Sequence, residues 1–404
     1  MNRKEVFDNN CITRIEEKCI NCGMCKKTCD AINNFFSDDC INCGQCILTC
    51  PAGALVPKFD YQTVLNYIND TDYTVVAFVA PSVRVTIGDE FGFPPGEFLE
   101  DKLAGALKSL GFDYVFDTTF GADLTIMEEA NELYEKIKGH SLPMYTSCCP
   151  AWVLYMNKYH PDDIKYLSSC KSPIAMQSAM IKTYFSNMYN IDSKKIIAVS
   201  INPCTAKKYE RTLYPDTDIS ITTRELVIML KQNQIDLNKV SGDKYDELMS
   251  TASSSGLLFG TSGGVCEAVL RTVYYMLNKK KPNNDFYILK DIRGEKDFKE
   301  AIIDLDITKL KVAVINKIST VEKYYDRLKN YDFVEVMECP GGCIGGGGNS
   351  LVSIKDYDDI KKKRMSSIYE HDLKSDLKNS YLNPEIQDAY SSFINKNRVD
   401  LHTK

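Results

Sequence analysis

The 404 residues carry 49 Lys and Arg against 55 Asp and Glu, a net charge of −6, with 44% hydrophobic and 26% charged content. This is a globular composition, long enough for two or three domains with a sizeable core, and it lacks the basic balance of a nucleic-acid or anionic-membrane binder. Purely apolar runs such as residues 75–80 are far too short to span a bilayer. The first residues are polar and charged with no apolar h-region. No secretory leader is therefore expected, and the protein is expected to be cytoplasmic, with no membrane and no nucleic acid as partner. In a reducing compartment sixteen cysteines argue for metal ligation over disulfides, and four histidines leave zinc a poor choice for most of them.

Along the chain, Cys19, Cys22, Cys25 and Cys29 stand in C-x2-C-x2-C-x3-C spacing. Cys40, Cys43, Cys46 and Cys50 repeat it, and Pro51 follows the last. This is the bacterial ferredoxin run, in which the fourth cysteine of each run ligates the other run's cluster. One [4Fe–4S] cluster is expected on Cys19, Cys22, Cys25 and Cys50, the other on Cys40, Cys43, Cys46 and Cys29. Gly23 and Gly44 let each loop wrap its cube. Asp30 stands where a proline is usual, and Cys11 falls outside the pattern. Two clusters this close make an electron relay.

From residue 74 short apolar strands alternate with amphipathic helices, an α/β pattern. Strands are expected over 73–80, 114–117, 142–146, 195–201, 286–289, 312–315 and 333–337. Helices are expected over 97–110, 124–138, 172–188, 264–277 and 320–328, and a capping box at Thr222 and Glu225 opens another. Three of the strands deliver cysteines: Cys148 and Cys149, then Cys204, then Cys339. Open α/β sheets place their sites at strand carboxyl ends. The last strand runs into Cys339-Pro340-Gly341-Gly342-Cys343-Ile344 and four more glycines, 345–348. Such glycines let backbone lie close against a bulky inorganic group. Neither G-x-G-x-x-G nor G-x-x-x-x-G-K-[ST] fits the stretch, so a phosphate loop has no support. Cysteines from three strand ends can converge on one site between two sheets, with Cys343 as fourth ligand. Cys170 and Cys266 are expected to be buried small hydrophobes.

The motifs around these cysteines resemble the catalytic domain of the [FeFe]-hydrogenases. Three stand in order: Thr146-Ser147-Cys148-Cys149-Pro150-Ala151-Trp152, then Pro203-Cys204-Thr205-Ala206-Lys207-Lys208-Tyr209-Glu210, then Glu335-Val336-Met337-Glu338-Cys339-Pro340-Gly341-Gly342-Cys343-Ile344 with its glycine run. Further matches are Ala80-Pro81-Ser82-Val83-Arg84, Ala122-Asp123-Leu124-Thr125-Ile126-Met127-Glu128-Glu129 and Phe259-Gly260-Thr261-Ser262-Gly263-Gly264-Val265. The tail from Arg364 to Leu401-His402-Thr403 is similar to the family's small-subunit segment.

The resemblance implies an α/β protein in three parts: a two-[4Fe–4S] ferredoxin-like domain over 1–58, a two-lobed catalytic domain over 59–354, and a helical small-subunit-like segment over 355–404. It implies an H-cluster between the lobes. Cys149, Cys204 and Cys339 would hold a [4Fe–4S] cube, and Cys343 would bridge it to a two-iron unit with CO, cyanide and azadithiolate ligands. Lys207 would contact a cyanide. Ala80, Pro81, Ser82, Ile174, Asn202, Pro203, Phe259 and Met337 would surround the two-iron unit. Cys148 would be the first proton station, followed by Glu129, Ser168 and Glu132 and ending at Lys136, where arginine is usual. The activity implied is reversible reduction of two protons to H2. Its partners would be an external electron carrier such as ferredoxin or flavodoxin, and maturation proteins that supply the two-iron unit.

Glu129, Glu132 and Lys136 lie at i, i+3 and i+7 on one helix, a spacing that also suits a solvated acidic face. Asn202 stands where methionine is usual and Ile174 where glutamine is usual, so the chain resembles a divergent subgroup. Two other functions stay open: a slow hydrogen-sensing hydrogenase, and a non-catalytic iron–sulfur assembly paralogue lacking the two-iron unit.

Overall fold

Two sheets organise the chain beyond residue 74, and each has one central strand, Ile196–Asn202 in the first and Phe333–Met337 in the second, that is buried from end to end. The computed structural model describes residues 9–29, 40–353 and 355–403; Asp30 and the expected boundary at residue 354 lie outside the described residues. Near the N-terminus β1 (Ile12–Arg14) pairs antiparallel with β2 (Leu55–Pro57), Ile12 opposite Pro57. The strands that follow are β3 (Thr74–Val79), β4 (Tyr114–Asp117), β5 (Met144–Tyr145), β6 (Ile196–Asn202), β7 (Ile219–Thr222), β8 (Phe298–Asp304), β9 (Lys309–Asn316) and β10 (Phe333–Met337).

The first sheet runs β4-β3-β6-β7, all parallel. Helices cover both of its faces, as a parallel sheet requires, and β6 accordingly reads as an unbroken buried run. The second sheet runs β5-β10-β9-β8, with β8 antiparallel on its edge. β3 and β6 end level, Val79 opposite Ile201, and β10 ends with Met337 opposite Asn316. The loops that leave β3, β5, β6 and β10 meet at a single cavity.

The helix Thr118–Lys138 packs between the two lobes. Phe120 and Leu124 join the core of the first sheet, while Ile126, Ala130 and Leu133 join that of the second. It begins six residues before the expected start at Leu124, because Asp117 at the end of β4 caps it, Oδ1 accepting from Thr119 N–H at 2.9 Å. The expected capping box is present: Thr222 Oγ1 accepts from Glu225 N–H at 3.3 Å and Glu225 Oε2 from Thr222 N–H at 2.8 Å.

Three expectations need correction. Residues 286–289 are not a strand; Asn283 Oδ1 accepts from Phe286 N–H at 3.1 Å and starts the 3-10 turn Asn284–Tyr287 instead. The strand expected over 142–146 is reduced to Met144–Tyr145, since Pro143 has no N–H to extend the ladder. The helix expected over 172–188 opens into a π-turn at Ile181–Phe185.

The segment from Tyr357 is helical, as expected, and wraps both lobes. Asp372 on the helix Tyr357–Lys374 accepts from Arg271 at 2.8 Å and Arg293 at 2.9 Å. Farther on, Ser380 and Asn383 donate to the buried Asp123 at 2.7 and 2.9 Å. Among the described residues no helix is long and apolar enough to cross a membrane.

Candidate active site

Each of the four converging cysteines is placed by the end of a regular element. Cys149 is the N-cap of the helix Pro150–Tyr159, with Pro150 pre-setting the first turn. Cys204 follows β6 through Pro203, Cys339 follows β10, and Cys343 opens the turn Cys343–Gly345. All four line one cavity at the carboxyl ends of the strands.

Close backbone approach shapes the glycine loop. Gly342 has φ +92°, and a Cβ there would sit 2.6 Å from Ser262 N. At Gly346 a Cβ would come within 2.3 Å of Pro203 O, so this loop lies directly on the one that carries Cys204. Gly348 N–H donates to the same carbonyl at 2.8 Å.

Burial pushes the Cys204 and Cys343 thiols up to about 12, and the Cys149 sulfur beside each adds to the rise. Cys149 and Cys339 are raised for the same first reason. Four buried sulfurs become anions together only around a multivalent cation, the role an iron–sulfur cube fills. Beyond the sulfurs the wall is largely apolar, with Ala80, Pro81, Ile174, Phe259 and Met337. Three buried atoms of its lining residues lack a partner among the described residues: Ser82 Oγ, Thr118 Oγ1 and Asn202 Oδ1. Asn202 Nδ2 is occupied by Ser200 Oγ at 2.9 Å and Ser220 Oγ at 3.1 Å. An unpartnered buried polar atom costs about 1–3 kcal/mol, so all three suit a cavity whose contents bear polar ligands. The donor set and the wall therefore fit an iron–sulfur cube with a polar extension.

Lys207 lies in the same cavity and is not a solvated surface lysine. Its ammonium donates to Ser172 Oγ at 2.7 Å, Glu210 Oε2 at 2.8 Å and Cys148 O at 3.4 Å. Burial pulls its pKa down, but Glu210 and the nearby sulfurs more than offset this, so it stays a cation. Lys208 turns the other way, to Glu225 and Asp60.

Cys148 lines the cavity one residue before Cys149. Behind it Glu129 is wholly buried, and burial, then Glu132, pushes its carboxyl up to about 8. Ser147 N–H and Ser168 Oγ lie nearby, yet neither carboxylate oxygen accepts a hydrogen bond of good geometry. Ser168 Oγ donates to Glu132 Oε2 at 2.9 Å. A solvated acidic face is thereby excluded for Glu129. Lys136 is half-buried one turn beyond Glu132, and among the described residues no ion pair joins the two.

The ferredoxin-like loops dock on this site. Burial raises the Cys43, Cys46 and Cys25 thiols, and Cys29 adds to the rise at Cys43 and Cys46 as Cys50 does at Cys25, so the last cysteine of each run stands near the other run. Thr205 Oγ1 donates to Asn42 O at 2.6 Å and Gln45 Nε2 to Gly345 O at 3.0 Å. A Cβ on Gly44, at φ +72°, would sit 2.4 Å from Thr205 Oγ1. The Cys43 loop thus packs between the Cys204 and Cys343 loops, while Cys22 is exposed on the far side. Sequence reasoning passed over Glu210, whose i+3 spacing from Lys207 was readable. It also missed Gln45, Ser169 and His402, whose partners lie far away in the chain and leave no local signal.

Residues 73–347 match the family model of the iron only hydrogenase large subunit, C-terminal domain. Residues 358–404 match the iron hydrogenase small subunit and 34–56 a 4Fe-4S binding domain. The chain is 38% identical over 360 residues to iron hydrogenase 1 of Clostridium pasteurianum, covering 86% of this chain but only 62% of that relative's length. It is 40% identical over 300 residues to the periplasmic [Fe] hydrogenase large subunit of Nitratidesulfovibrio vulgaris, 70% of each chain. The solved structure of an [FeFe]-hydrogenase from Chlamydomonas reinhardtii matches with a TM-score of 0.74 at 35% identity, over 85% of this chain and 97% of that one. Sequence, fold and the arrangement of the cysteine loops agree, and the chain belongs to the iron-only, or [FeFe], hydrogenase family.

Proposed function

We propose that the chain catalyses the reversible reduction of two protons to H2. The observation that carries this is the meeting of Cys149, Cys204, Cys339 and Cys343 with Cys148 and Lys207 at one mostly apolar cavity. When bound there, an H-cluster supplies the redox centre at which electrons and protons combine. Cys149, Cys204, Cys339 and Cys343, the four cysteines on the cavity wall, would hold it. Lys207, fixed by Glu210 and Ser172, presents a cation to the anionic cyanides. Ser82 and Asn202 face the polar ligands, while Ala80, Pro81, Pro203, Ile174, Phe259 and Met337 exclude water.

Protons move along Cys148 Sγ, the Glu129 carboxyl, Ser168 Oγ and the Glu132 carboxyl. With a pKa near 8, Glu129 is mostly protonated at neutral pH and can hand its proton to Cys148, then recover one from Ser168. Cys19, Cys22, Cys25 and Cys50 would hold one [4Fe–4S] cluster and Cys40, Cys43, Cys46 and Cys29 a second, which would supply one-electron redox chemistry; of these cysteines Cys22 is exposed and Cys43 packs beside Cys204. An external carrier such as ferredoxin or flavodoxin delivers the electrons, and maturation proteins install the two-iron unit. The sixteen cysteines suit a reducing, cytoplasmic setting.

Asn202 and Ile174, both on the cavity wall, favour a second reading as a slow hydrogen sensor. Turnover within about tenfold of its relatives excludes it. In the catalytic reading Cys148→Ala lowers hydrogen evolution by about 10²-fold or more while iron content stays unchanged. Full turnover in that variant defeats the proton-relay assignment.

A further inference from the structure

Residues 401–403 lie along residues 169–171 as a short antiparallel pair. Cys170 bridges to His402, Thr403 N–H donates to Ser169 O at 2.6 Å, and Lys171 N–H donates to Leu401 O at 2.9 Å. This pairing sets His402 against the outer end of the internal polar chain. Its Nδ1 is 2.9 Å from Ser169 Oγ. Ser169 in turn meets Glu132 Oε2 twice, through its N–H at 3.0 Å and its Oγ at 3.4 Å. On the other edge of the ring, Nε2 is 3.1 Å from Glu128 Oε2. Tyr390, carried on the π-turn Ala389–Ile394, donates to the other oxygen of Glu128. The His402 side chain is 42% exposed, so the polar chain reaches water at this ring.

We propose that His402 is the station at which the chain exchanges protons with water, passing them through Ser169 Oγ to Glu132; this rests on the relay reading of Cys148, Glu129, Ser168 and Glu132. For inward transfer, imidazolium Nδ1–H gives its proton to Ser169 Oγ while the Ser169 hydroxyl gives its own to Glu132 Oε2. His402 ends neutral and Glu132 ends as the carboxylic acid, so charge and atoms balance. Nε2 keeps its proton toward Glu128, and Nδ1 recovers one from water when the half-exposed ring turns away from Ser169. Outward transfer is the reverse. Imidazole suits this task because it both takes and gives a proton near neutral pH.

The groups facing the ring are the carboxylates of Glu128, Glu132 and Asp400 and the Cys170 thiol, 4.0 Å from Nδ1. Lys171 pairs with Asp400 at 3.3 Å. The Glu128 hydrogen bond raises His402 above the usual histidine value, with burial opposing. Glu128 sits below the ordinary carboxylate range despite its burial, because His402 and Tyr390 donate to it. The ion pair thus favours the charged ring, the form that delivers a proton inward.

The test uses the matured full chain. His402→Ala is expected to lose at least about tenfold in hydrogen evolution at neutral pH and to regain activity with added imidazole. Ser169→Ala, which keeps the backbone pairing but breaks the hydroxyl bridge, is expected to be slow and not rescued. A readout independent of turnover is the ¹⁵N NMR titration of the histidine ring in protein lacking the two-iron unit. His402 should titrate above the ordinary histidine value, and its midpoint should fall in Glu128→Gln. Glu132→Gln separates the two claims. If Glu132→Gln keeps full turnover, the relay reading itself fails. If Glu132→Gln is inactive while His402→Ala keeps full turnover and an unchanged pH profile, the exit at His402 alone is overturned. A slow His402→Ala protein that imidazole does not rescue makes the residue structural and also overturns it.

Discussion

Glu129 concentrates the physics of the proposed proton path in one side chain. It is wholly buried, and its carboxyl stands near 8 where an ordinary glutamate titrates near 4.3. The folded chain therefore binds this proton more tightly than the unfolded chain. Stability from this group is full below the ordinary carboxylate range and is lost as pH rises toward about 8. Glu129→Gln removes the titration. Its thermal midpoint relative to the unaltered protein should rise more near pH 8 than near pH 4, by differential scanning calorimetry without the two-iron unit. Hydrogen evolution should fall by about 10²-fold or more. An unchanged pH dependence of stability would place the charge elsewhere. The sequence offered Glu129 and Glu132 only as members of a helix face. What decides between relay and solvated face is burial between the two lobes, which is set by tertiary packing.

Among the elements, β10 was the most legible and β8 the least. β10 is a short apolar strand buried on both faces, and it leads straight into the cysteine and glycine loop. β8 is an edge strand that exposes Glu300, Ile302 and Asp304 and buries Lys299, so its sequence lacks the apolar alternation of a half-buried strand. The apolar run at 286–289 looked more like a strand and lost to an asparagine cap. The helix Tyr357–Lys374 was foreseen, but not what anchors it. Asp372, nearly inaccessible, gathers Arg271, Arg293 and Ser254 at 2.8, 2.9 and 2.7 Å. Removing one member of a buried ion cluster leaves the others unpaired. Asp372→Ala should cost about 3–5 kcal/mol in denaturant unfolding and loosen the C-terminal segment to proteolysis. A change within about 0.5 kcal/mol would show that the helix is held by apolar packing alone.

On the scale of the molecule, three parts meet at one cavity, and the cysteine spacings made most of that plan readable. The doubled ferredoxin run and the three strand-end motifs each carry local signals. The docking between them does not, because Asn42 and Gln45 find partners at Thr205 and Gly345, about 160 and 300 positions away. Gly44 is the hinge of that contact. Gly44→Ala forces a methyl group onto Thr205 Oγ1 and should lift the Cys43 loop off the catalytic lobes. Hydrogen evolution driven by a reduced carrier should then fall sharply. Isotope exchange between hydrogen gas and water, which needs no external electrons, should persist. Equal loss of both would mean that the substitution disrupts the cavity rather than the electron path.

The most direct measurement is an infrared spectrum of anaerobically matured protein in the CO and cyanide stretching region, under hydrogen and under argon. Distinct bands that shift with hydrogen are expected if Cys149, Cys204, Cys339 and Cys343 hold an H-cluster open to its substrate. A blank spectrum, from protein whose iron content and maturation have been verified, contradicts the hydrogenase activity and leaves an iron–sulfur protein with three clusters and no two-iron unit.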